Sequence, residues 1–107
     1  MEKEKLEKLQ QVLTLLNDAN DKALTIREGK AEDTTAAVKQ INEDLTNAKK
    51  IWDEQGLGQY IESKINIGTL IADLSDPNDT KTFGLGKTGL MSTINIIVSA
   101  LVKLKKE

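Results

Sequence analysis

Apolar residues recur along the first part of the chain at alternating spacings of three and four: Leu6, Leu9, Leu13, Leu16, then Asn20 and Ala23. Val12, Ala19 and Ile26 widen the stripe. This is the period of a helix with one buried face, and it predicts a long helix over 3–28. Glu4 and Lys8 form an i,i+4 pair in the favourable order. Gly29 follows the last periodic residue, where a glycine in the left-handed region ends a helix.

A second stripe runs Thr34, Val38, Ile41, Leu45, Ala48 and Trp52. It predicts a helix over 33–54, capped by Asp33 or Thr34. The short connection makes the first two helices an antiparallel hairpin. Trp52 is expected to anchor the base of the bundle. Gln55-Gly56-Leu57-Gly58 then interrupts the periodicity.

A third helix is predicted over 58–74, ended by Ser75-Asp76-Pro77, because the residue before proline is pushed out of the α region. A fourth is predicted over 88–105. Lys103, Lys105 and Lys106 fall at its C-terminal end, where cations suit the helix dipole. No stretch alternates with the period of a strand. The fold class expected is all-α: one four-helix bundle-like domain over 1–107, with a long hairpin packed on two shorter, more apolar helices.

Those last two helices are apolar around most of their circumference. In the third, Glu62, Asn66, Thr69 and Asp73 form one narrow polar stripe; in the fourth, Thr88, Ser92, Asn95 and Ser99 do the same. No charge occurs between Thr88 and Val102. A bundle helix at the surface buries an apolar arc of about 100° or somewhat more. The surplus predicts either a central layer beneath the hairpin or a surface covered by another copy or another protein. Residues expected at such an interface are Ile67, Leu70, Ile71, Leu74, Ile96, Ile97, Ala100 and Leu104. Helix length adds that the far end of the hairpin, near 21–37, projects beyond the shorter helices.

Composition narrows the chemistry. The chain of 107 residues contains no histidine and no cysteine. This excludes Ser-His-Asp and Cys-His catalysis within one chain, disulfides, and metal sites built on histidine or thiolate. No cofactor and no enzymatic activity are expected. Fifteen basic and seventeen acidic residues leave a net charge of −2. Residues 1–57 hold nine basic and twelve acidic side chains, residues 58–107 six and five. Neither half is basic enough to bind duplex nucleic acid. Trp52, Tyr60 and Phe83 are too few for a base-stacking platform. The charged opening Met1-Glu2-Lys3-Glu4-Lys5 lacks the apolar core of a secretion signal, and a cytoplasmic setting is expected.

Three motifs bear on ligands. Gly86-Lys87-Thr88 opens a predicted helix as a phosphate loop would, but position 81 holds lysine where that pattern needs glycine. Free N–H groups at a helix start, with Lys81, Thr82, Gly84, Gly86, Lys87 and Thr88 beside them, make a candidate site for a small anion or nucleotide. A flexible connection with a threonine cap explains the same residues. Asp76-Pro77-Asn78-Asp79 opens like a calcium loop but has Lys81 and Lys87 where glycine and glutamate are required. Asn20 stands at a core-type position, where a buried amide sets register or oligomeric state, unless the hairpin end there lies in water.

The function expected is a non-catalytic, homo-oligomeric helical interaction protein, because its surplus apolar surface calls for a second copy. It would act on a partner macromolecule in an inhibitor, immunity or adaptor-like role. The alternatives are a binder of a small anionic ligand at 81–88 and a membrane-associated helical protein. The uncharged run of the fourth helix is 15 residues, short of the ~20 needed to span a bilayer.

Overall fold

The ends of the first two helices follow from their caps. In the computed structural model, which describes residues 3–30, 32–61 and 90–106, α1 spans Lys3–Arg27 and α2 spans Thr34–Glu54. Beyond α1, the Lys30 N–H donates to the Thr25 carbonyl at 2.9 Å and the Gly29 N–H to the Ile26 carbonyl at 3.0 Å. These two bonds are a Schellman motif, which needs a residue in the left-handed region. Gly29 supplies it with φ +72°. At the start of α2 the choice between two caps resolves to Asp33. Its backbone is extended, and its carboxylate accepts from the Ala36 N–H at 3.1 Å.

The two helices form the expected antiparallel hairpin, and polar ties fix its register along its length. Lys5 Nζ reaches Gln55 at the open end. Lys22 Nζ reaches Asp44 Oδ2 at 3.0 Å further along. Along the hairpin the stripes interlock: Leu9, Val12, Leu16 and Ala19 of α1, and Val38, Ile41, Leu45 and Ala48 of α2, are fully buried. Each large apolar side chain so buried contributes about 1.5–3 kcal/mol relative to exposure.

After α2 the chain turns sharply. Gly56 takes φ +60°, and a single 3-10 turn, Leu57–Tyr60, follows. This turn closes the open end of the hairpin. Leu57 is wholly buried, and Gly58 passes beneath the Trp52 indole, so close that a Cβ there would lie 3.4 Å from Nε1. Trp52 is buried at this end, as a base anchor should be.

The helix expected to begin at 58 does not begin there. Residues 58–60 belong to the 3-10 turn, and Ile61 is extended at φ −124°, ψ 124°. The rest of that expected helix, 62–74, and the connection at 75–87 lie outside the described residues. The last helix, α3, spans Leu90–Lys105 and packs chiefly on α1. Its expected first residues, Thr88 and Gly89, also lie outside the described part. The described architecture is therefore three α-helices, a hairpin with α3 laid against it, and no strand occurs among the described residues.

Candidate interaction surface

α3 is apolar nearly all round, so packing rather than sequence periodicity decides which face is inward. Leu90, Thr93, Ile94, Ile97 and Leu101 are buried and make the contact with the hairpin. On one flank of this arc Ile96, Ala100 and Leu104 are half-buried and packed against the same core. On the other flank Met91, Val98 and Val102 stand in solvent, at 41%, 40% and 51% exposure. Spacings of seven and four put these three on one line, about a quarter-turn round from the centre of the buried arc. Asn95 and Ser99 occupy the back of the helix and are exposed.

The exposed flank carries no charge along its length. Lys103 and Lys105 come only in the last turn. The surface therefore has shape and apolar area but nothing that reads charge. On α1, Leu24 is exposed as well, at 39%. It stands on a different helix, and single exposed leucines are ordinary.

The expected interface residues distribute differently from the exposed flank. Ile97 lies wholly in the chain's own core, and Ile96, Ala100 and Leu104 are half-buried against it. Ile67, Leu70, Ile71 and Leu74 lie outside the described residues. The apolar side chains that α3 leaves open are instead Met91, Val98 and Val102. Sequence reasoning placed these among the apolar positions without separating them from the rest. The polar stripe marked the outward direction, but the flanks beside it are equally apolar. No signal in the sequence says which of the two turns toward the hairpin.

The anion-site candidates Lys81, Thr82, Gly84, Gly86, Lys87 and Thr88 all lie outside the described residues. At the far end of the hairpin, two lysines are already engaged: Lys22 with Asp44, and Lys30 with Glu28 at 3.1 Å. Asn20 is 8% exposed, which answers the question of its setting: it is a core residue, not a solvated one. Among the described residues the buried polar side chains are Asn20 and Thr93, and no ionisable side chain is buried. No buried side-chain nitrogen or oxygen there is left without a hydrogen bond. No cluster of acidic side chains able to hold a metal ion occurs among the described residues. No helix among them is long and apolar enough to cross a membrane. The chain matches no protein-family model, no curated protein and no solved structure.

Proposed function

We propose that this chain is a non-catalytic helical interaction protein that associates with a second copy of itself through the exposed flank of α3. It would serve a partner macromolecule in an inhibitor, immunity or adaptor-like role. One observation carries the reading: Met91, Val98 and Val102 form a line of exposed apolar side chains on a helix without a charge from Leu90 to Val102. A solvent-facing helix normally shows a polar outer half. Aligned apolar exposure of this kind supports a role in association.

The chemistry of the chain supports binding over catalysis. Without histidine and cysteine, general acid–base and nucleophilic work would fall to carboxylates, lysines or hydroxyls. Those groups act when burial or a charged neighbour retunes them. The described carboxylates and lysines are all at least partly open to solvent.

A second copy is the natural occupant because a two-fold interface sets the same patch against itself. An apolar, uncharged strip is self-complementary, whereas a charged strip would repel its copy. Sedimentation equilibrium from low micromolar to high micromolar concentration tests this. The expected result is a weight-average mass that climbs above the monomer value. A constant monomer mass across that range would overturn the self-association.

A further inference from the structure

We draw no further inference here: the strongest candidate, the exposed Met91, Val98 and Val102 flank of α3, belongs to the surface already described, and nothing in the structure shows what covers it.

Discussion

Lys5 Nζ donates to the backbone carbonyl of Gln55 at 3.0 Å and to its side-chain Oε1 at 3.1 Å, joining residues fifty positions apart. The physics of this tie comes from the hairpin. Lys5 sits in the first turns of α1, where the helix dipole disfavours a cation. The antiparallel partner ends beside it, and its terminal carbonyls lack intrahelical donors. A long side chain can therefore leave the wrong pole of its own helix and serve the right pole of the next. Replacing the ammonium while keeping the chain length, as in Lys5→Met, should cost about 1 kcal/mol. In a domain of this size that lowers Tm by about 4–8 °C. Lys3→Met, at an exposed position in the same turn, should change stability by less than ~0.5 kcal/mol. Thermal melts of the two variants side by side make the comparison; equal effects would mean the tie to Gln55 contributes nothing.

The ion pairs should divide by burial rather than by length. Lys49–Asp53 is the shorter at 2.6 Å, but both side chains are about half exposed and lie on one helix. Lys22–Asp44 at 3.0 Å crosses between helices, with side chains 31% and 15% exposed. Holding a long side chain in water offsets most of what an exposed pair gains. Double-mutant cycles to alanine should give a coupling of about 1 kcal/mol for Lys22/Asp44 and about 0.3–0.5 kcal/mol for Lys49/Asp53. Raising the salt to about 1 M should erase the second and leave part of the first, since screening reaches exposed charges best. Equal couplings, equally screened, would contradict the assignment of Lys22–Asp44 as a tertiary tie.

Two neighbouring glycines should respond differently to a methyl group. Gly56 has φ +60°, and an L-residue there is strained by about 1–2 kcal/mol whatever the space around it. Gly58 has an ordinary φ, and its added Cβ would meet the Trp52 indole at 3.4 Å, the edge of normal contact. Gly56→Ala should therefore lose about 1 kcal/mol of stability or more in chemical denaturation. Gly58→Ala should fall within ~0.5 kcal/mol of the parent. Trp52 fluorescence is a convenient readout because the indole packs over this turn. A reversed order would mean the turn after α2 has a different backbone.

How much of this was legible depended on how each element is specified. The three described helices carry their own signals. Leu6 through Ala23 repeats with the helical period, Gly29 and Asp33 bracket the connection, and Lys103 and Lys105 mark the last turn. The helix ends that have described residues beyond them, Arg27, Thr34, Glu54 and Lys105, accordingly fall within one residue of those expected. The turn after α2 was misread for a physical reason. Gly58-Gln59-Tyr60-Ile61 runs into an apolar segment that looks helical from its spacing. The structure instead uses Leu57 to plug the open end of the hairpin, and that tertiary contact draws the chain into a 3-10 turn. Asn20 was ambiguous in sequence because its burial depends on what packs beside it. The orientation of α3 was illegible for a related reason. A helix that is apolar on both flanks of its polar stripe can bury either flank, and only its neighbour decides.

That orientation makes the association testable at single positions. Val98 and Val102 lie four residues apart on the open flank. Changing them together to Val98→Glu and Val102→Lys places an i,i+4 pair in the order that favours a helix. The fold should therefore survive, with helical circular dichroism intact and stability within ~0.5 kcal/mol of the parent. An interface that buries this flank would have to desolvate both charges, which costs far more than the lost apolar area gained. The dissociation constant should rise at least ~10-fold, the equivalent of about 1.4 kcal/mol. Ser99→Lys, on the back of the same helix, should leave association within about twofold, since exposed substitutions outside a contact change little. If the double variant associates as tightly as the parent, the contact lies on another face of the molecule. If Ser99→Lys weakens it equally, association responds to the charge of α3 as a whole and not to the line of Met91, Val98 and Val102.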